Sequence, residues 1–265
     1  MDALQTFKEN QKQMWPSFLP LESNTTPSAA HLVRHARVAA GQRVLDVACG
    51  TGVVAVTAAR RGCRVTGLDL TPELLQRARE NATIASVTIG FHEGDVEALP
   101  FADAEFDAVL SQFGHMFAPR PEVAIAEMLR VLKPGGTIAF STWPPEMGFG
   151  RRFEIMAAYA PAPPLQVPPP ALWGSPDVVR ERLGGAVRDI VFERGKLLIP
   201  ALSPEHNVLH TEKTSPTVLK LVEKLTESDP ARLVDLRREF VALAAEYFED
   251  NLVRQDYLVT RATKI

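Results

Sequence analysis

Two cysteines, Cys49 and Cys63, are all that this 265-residue chain carries. Two are too few for a disulfide framework and fit a reducing compartment, so a cytoplasmic protein is expected. Positive charge is not in excess either: 29 Lys and Arg stand against 32 Asp and Glu, for a net charge of -3. Such a balance leaves no basic footprint for nucleic acid, so no nucleic-acid partner is expected. No stretch reaches the roughly 18 apolar residues of a membrane span, and no membrane role is expected. The start, "MDALQTFKENQKQMW", is charged and amphipathic, without the basic-then-apolar order of a signal peptide. His31/His35 and His206/His210 are spaced four apart, but neither pair has the H-E-x-x-H pattern or a visible third ligand, so no metal is expected. Apolar residues are plentiful, at 46%, enough to bury a full core in one domain.

Residues 1–40 read as helical. Within them "TTPSAAHLVRHARVAAG" offers Thr26 as N-cap, Pro27 at the first helical position and Gly41 just past the end. From Gln42 to about Trp143 short apolar runs alternate with helical ones. "RVLDVA", "RVTGLDL", "VTIGFHE", "FDAVLSQF" and "GTIAFSTW" are the strands, with "VVAVTAARRG", "TPELLQRAREN" and "RPEVAIAEMLRVLKPGG" between them. This alternation implies parallel pairing, right-handed crossovers and helices on both faces. After Trp143 the chain turns rich in proline and aromatics, and its 161–170 stretch reads as a stiff wall or lid edge. A helix ("SPDVVRERLG") and a long strand ("VRDIVFERGKLLI") follow, then a helical block and a last strand in "DYLVTRATKI". In the block, Leu233, Leu236, Phe240, Leu243 and Tyr247 recur at three and four. The chain thus divides into a helical cap (1–40), a ligand-binding core (41–145), a proline- and aromatic-rich segment with a sixth strand (146–202), and a helical cover with the last strand (203–265), one domain overall.

The turn in "RVLDVACGTG" joins the first strand to the first helix, where doubly wound sheets bind ligands. It is not a dinucleotide fingerprint, because Ala48, Gly50 and Gly52 give A-x-G-x-G rather than G-x-G-x-x-G. Asp46 just before the turn would repel a pyrophosphate by several kcal/mol at order of magnitude, and would attract a cation. Asp69 ends the second strand, 23 residues later, close to the roughly 20 that suit a carboxylate on ribose hydroxyls. Asp95 follows the third strand, where it can accept a hydrogen bond from an adenine amino group. Each acid alone is a weak signal; three at successive strand ends form a constellation.

These segments ("VLDVACGTG", "VTGLDLTPELLQRAR", "GDVEALPF", "FDAVLSQFG", "RVLKPGG") resemble the ordered motifs of class I S-adenosylmethionine-dependent methyltransferases. The branch they most resemble includes the ubiquinone/menaquinone-biosynthesis C-methyltransferases. The likeness covers residues 40–145 and departs from the motif only at Ala48, the first glycine position. It implies a Rossmann-like α/β fold with a seven-stranded, doubly wound sheet, its last strand antiparallel, and helical additions at both ends over the pocket. It also implies S-adenosylmethionine as cofactor. Asp46 would serve its methionine end, with Ala48, Gly50, Thr51 and Gly52 as the turn against it. Asp69 would take the ribose, Leu70 the adenine face, and Asp95 with Val96 the adenine edge. Ser111 and Gln112 would line the methionine moiety.

The stretch "SQFGHMFAP" would face the transfer site, with Phe113, Met116 and Phe117 as an apolar wall and His115 as a candidate base or orienting group. Trp15 and Phe18 near the start, and Trp143 after the fifth strand, are candidates to cap the pocket. The expected activity is methyl transfer by in-line displacement to a small, partly apolar metabolite. The alternatives are an NAD(P)-dependent oxidoreductase and a catalytically inactive S-adenosylmethionine-binding protein. The 203–250 helices could cover the acceptor or form a homodimer interface.

Overall fold

The computed structural model describes residues 2–160 and 165–265. Residues 161–164, which open the expected lid edge, lie outside the described residues. Among the described residues eight strands form one sheet: β1 (Arg43–Val47), β2 (Arg64–Asp69), β3 (Ile89–Glu93), β4 (Phe106–Gln112), β5 (Leu132–Thr142), β6 (Val187–Pro200), β7 (Phe248–Glu249) and β8 (Leu252–Lys264). Seven follow the order β3-β2-β1-β4-β5-β8-β6, and the two-residue β7 pairs only with the start of β8. β1 to β5 pair in parallel, and β8 runs antiparallel to both β5 and β6. The helices are α1 (Ala3–Met14), α2 (Glu22–His35), α3 (Val53–Ala59), α4 (Pro72–Ile84), α5 (Pro121–Val131), α6 (Gly148–Tyr159), α7 (Pro176–Leu183), α8 (Pro204–Thr214), α9 (Pro216–Ser228) and α10 (Pro230–Glu246). No helix among the described residues is long and apolar enough to cross a membrane.

The central strands are apolar because both their faces are covered. Val44, Leu45 and Val47 of β1, and Ala108, Val109 and Leu110 of β4, are at most 1% exposed. β3, on the sheet edge, is largely open to solvent. Strand order reverses between β1 and β4, and that reversal leaves a crevice beyond their carboxyl ends. The far edge adds a second feature. Pairing of β5 with β8 stops at Thr142 opposite Leu258, whereas β6 and β8 stay paired as far as Pro200 opposite Leu252. The β6–β8 ribbon therefore overshoots the end of β5 and stands beside the crevice.

The C-terminal helical block is three helices. Each break is a Ser-Pro or Asp-Pro step, and the Ser203 and Asp229 side chains accept from the His206 and Arg232 amides as N-caps. Leu221, Leu225, Leu233, Leu236 and Phe240 bury into a second, smaller apolar cluster against Ile155, Met156 and Tyr159 of α6. Arg237 of α10 grips the buried Glu212 of α8 with two 2.8 Å hydrogen bonds.

One helix boundary differs from expectation. α2 begins at Glu22, so Thr26 is no cap and Pro27 lies inside the helix, which ends at His35, well before Gly41. The 3₁₀ turn Trp15–Leu21 already delivers right-handed backbone at Leu21, so no separate start is needed. The hydroxyls of Thr25 and Thr26 both donate to the Glu22 carbonyl in the first turn.

Candidate functional site

Beyond β1, β2, β3 and β4 the crevice opens into a cavity of about 240 Å³. β1 leaves the sheet through a turn in which Ala48, Gly50 and Gly52 all have positive φ (50°, 54° and 78°). The turn feeds α3, and the Ala55 amide donates to Asp46 Oδ2 at 2.9 Å. Asp46 is 1% exposed and its Oδ1 has no partner among the described residues. Burial holds this carboxyl well above its ordinary pKa, against the pull of the Ala55 hydrogen bond, and the charge of Asp69 adds to the rise. A cationic group beside Oδ1 would favour the ionised form.

Asp69 accepts from the Gly50 amide with one oxygen and from the Thr71 amide with the other, both at 2.8 Å. Burial still raises its pKa over those bonds. It thus shapes the turn while facing the cavity with its remaining lone pairs. Asp95 accepts from the Glu97 amide through Oδ1, and Lys8 of α1 donates to its Oδ2. Lys8 also pairs with the buried Glu97, sharing its Oε2 with the Arg120 guanidinium.

The opposite half of the cavity is aromatic. Phe113, Trp143 and Phe149 form a continuous stack, with centroids 3.9 and 4.3 Å apart and planes within 11°. Phe113 holds its place in the left-handed region at φ 59°, a strain of order 1–3 kcal/mol that such sites commonly carry. The Arg152 guanidinium caps the stack, 3.9 Å above the Phe149 ring. Trp15 meets Phe117 edge-on at 4.8 Å, and Phe153 closes on both Phe117 and Phe149.

Most sequence-selected residues converge on this cavity. Asp46, Ala48, Gly50, Thr51, Asp69, Leu70, Asp95, Val96 and Gln112 line one half, and Trp15, Phe18, Phe113, Phe117 and Trp143 the other. Four do not. His115 is fully buried on the far side of its loop, between Phe140 and Trp173 at 4.7 and 4.8 Å, and lies outside the lining. Burial, reinforced by the Arg182 charge, pushes its pKa down to about 3, so it offers no base to the cavity. Met116 is a core side chain, 2% exposed. Ser111 donates to the Val47 carbonyl and accepts from the His115 amide, which ties β4 to β1 beneath the site. Gly52 faces α4, where an added Cβ would come within 3.0 Å of the Ala78 Cβ.

Other lining residues escaped sequence reasoning. Asn207, His210, Thr211 and Thr214 recur at three, four and seven along α8, a polar stripe that reads like a solvated face and instead lines the cavity. Leu197, Ile199 and Gln255 arrive on the overshooting ribbon. Arg152 and Phe153 continue the helical face that begins at Phe149, and that i, i+3, i+4 grouping was a signal in plain view. Lys8 carried none.

The family model described as a methyltransferase domain matches residues 45–140. An uncharacterized protein of Mycobacterium tuberculosis (Rv1405c) is 36% identical, over 98% of this chain and 96% of its own length. The malonyl-[acyl-carrier protein] O-methyltransferase of Erwinia pyrifoliae is 43% identical over 48% of this chain and 46% of its own. The demethylmenaquinone methyltransferase of Deinococcus radiodurans is 41% identical over 43% and 49%. Among solved structures, the Haloferax volcanii protein in complex with the Trm112 methyltransferase activator superposes with a TM-score of 0.61 at 20% identity, over 97% of this chain and 96% of that one. A phosphoethanolamine N-methyltransferase of Haemonchus contortus, in complex with phosphomonomethylethanolamine and S-adenosylhomocysteine, gives a TM-score of 0.56 at 19% identity, over 90% and 52%.

Proposed function

From its membership of the class I S-adenosylmethionine-dependent methyltransferases, we propose that this chain methylates a small, partly apolar metabolite held against the aromatic half of the cavity. The observation that carries this reading is one continuous cavity with carboxylates at one end and stacked aromatics at the other.

The residues present fit the cofactor. Asp46 presents a buried, unpartnered oxygen to a cation. Gly50 leaves open space where its Cβ would stand, with nothing within 4 Å. Asp69, Leu70, Asp95 and Val96 follow along the strand ends in the order in which ribose and adenine would need them. When bound, S-adenosylmethionine supplies a methyl group on a sulfonium, activated for displacement. The chain's own contribution is to position the acceptor in line and to exclude water. Trp15, Phe117, Phe149 and Phe153 roof the acceptor side, and the hydroxyl and amide groups of α8 and Gln255 can orient it. We assign no proton transfer to His115.

The test is calorimetry with S-adenosylhomocysteine and NADH in parallel, followed by a screen for S-adenosylhomocysteine release with phenols, quinones, thiols and amines. Binding of S-adenosylhomocysteine and turnover with at least one acceptor are expected. Tight binding of NADH alone would overturn the reading. Donor binding with no turnover across the panel would favour a cofactor-binding protein without catalysis.

A further inference from the structure

Two arginines stand side by side at the start of α6 and meet different fates. Arg151 turns outward and pairs with Glu246 of α10. Arg152 lines the cavity, and among the described residues no carboxylate lies within 4.0 Å of it and no hydrogen bond leaves its guanidinium. Its guanidinium lies over the face of Phe149, an arrangement that leaves the in-plane N–H edges free to meet a ligand. Arg152 is half-buried, and once a ligand displaces the water around it a cation–π contact offsets only part of the cost of drying a guanidinium, so a counter-anion is wanted.

The charges of the cavity are partitioned. Its acids, Asp46, Asp69 and Asp95, all sit at the strand ends, and its second cation, Lys8, is already shared between Asp95 and Glu97. Arg152 is the uncompensated charge at the other end, beside Asn207, Thr211 and Gln255, whose side chains carry N–H or O–H donors. These four also line a small adjoining cavity of about 20 Å³ that contains no residue of the glycine turn, which puts them at the end remote from the donor.

Resting on the methyltransferase reading, we propose that the acceptor bears a carboxylate as a handle, and that Arg152 binds it with Asn207, Thr211 and Gln255 around it. A single guanidinium among neutral neighbours matches one negative charge, which favours a carboxylate over a phosphate dianion. Burial pushes Arg152 down to about 10, so the cation persists at neutral pH. Phe149 backs the guanidinium, with Trp143 and Phe113 stacked in turn beyond it, which suits an acceptor with an apolar or aromatic body. The acid would thus set specificity, and the reacting atom would lie nearer the turn.

The experiment uses the full chain, with and without saturating S-adenosylhomocysteine, and three probes: 3-phenylpropionate, 3-phenylpropionamide and phenyl phosphate. Calorimetry should show the carboxylate binding about tenfold or more tighter than its amide, as loss of a charge-assisted pair predicts. Phenyl phosphate should bind no tighter than the carboxylate. Arg152→Met should abolish the preference and Arg152→Lys should retain part of it, with S-adenosylhomocysteine still binding both variants as proof of folding. Equal binding of acid and amide, no binding of either, a preference that survives in Arg152→Met, or a clear preference for the phosphate would each overturn the proposal. Absence of S-adenosylhomocysteine binding alone, with the acid preference intact in the arm without it, would count against the methyltransferase reading and not against the handle.

Discussion

Gly50 and Gly52 share one turn and have different reasons to be glycine. Both hold positive φ, which costs any other residue about 1 kcal/mol or more. An added methyl at Gly50 meets nothing within 4 Å and would project into ligand space, whereas at Gly52 it meets Ala78 and Phe91 at 3.0 and 3.3 Å. Gly50→Ala should therefore weaken S-adenosylhomocysteine binding more than it lowers Tm, and Gly52→Ala should do the reverse. Calorimetry and thermal unfolding on the two variants check this, and matching profiles would remove the distinction. His115 makes the other residue-scale case. Its pKa lies near 3 in the fold against 6.5 when free, so the unfolded chain takes up a proton that the folded one refuses. The stability this neutral histidine contributes is full above about pH 6.5 and is lost progressively as pH falls toward 3. His115→Leu should flatten that part of the stability–pH curve, measured by denaturant melts, and leave donor affinity within about twofold, as a site outside the cavity should. An unchanged slope, or lost donor binding, would contradict its placement.

The N-terminal cap is attached to the donor site by charged side chains from two elements. Lys8 of α1 reaches Asp95 and Glu97, and Glu22 at the start of α2 accepts from Arg77 and Asn81 of α4. Asn81 also donates to the Thr51 carbonyl within the glycine turn, so the cap, α4 and the turn are one hydrogen-bonded unit. Burial opposes ionisation of Glu22, but the hydrogen bonds from Arg77 and Asn81, with the charge of Arg77, outweigh it and hold the carboxyl below its ordinary value. A depressed carboxyl stabilises the fold above the unfolded pKa of about 4.3 and loses that stabilisation as pH falls through its folded value. Glu22→Gln should thus cost about 2 kcal/mol at pH 7, the worth of hydrogen bonds to a charged group. Against wild type, the difference should close below pH 4 in parallel urea titrations. A difference that persists in acid would mean that packing and not charge makes this tie.

At the scale of the whole molecule, the sheet and the helices after β6 do separate jobs. The sheet core runs from α2 through β5 and Trp173 to α7, β6 and β8, and the second cluster on α8, α9 and α10 closes the acceptor side through α6. The three acids of the donor half could be read without coordinates, because each lies at or just past the end of a strand and a strand's end is visible in one dimension. His115 could not be placed that way: it follows β4 by three residues, and only packing against Phe140 and Trp173 turns it from the cavity into the core. The polar stripe of α8 was legible as a helix face and illegible as a lining, because a solvated face and a cavity face share the same spacing. Arg152 reads as one more surface cation until Phe149 is found beneath it and no acid beside it among the described residues. The sequence by itself determined the alternation of strand and helix, the glycine turn and the carboxylates beside it, since those follow from local backbone preference and the period of apolar residues. Only the tertiary structure decided which side chains face the acceptor, since that depends on how far the β6–β8 ribbon overshoots and where α6 and α8 come to rest, contacts between residues distant in the chain that no local pattern encodes.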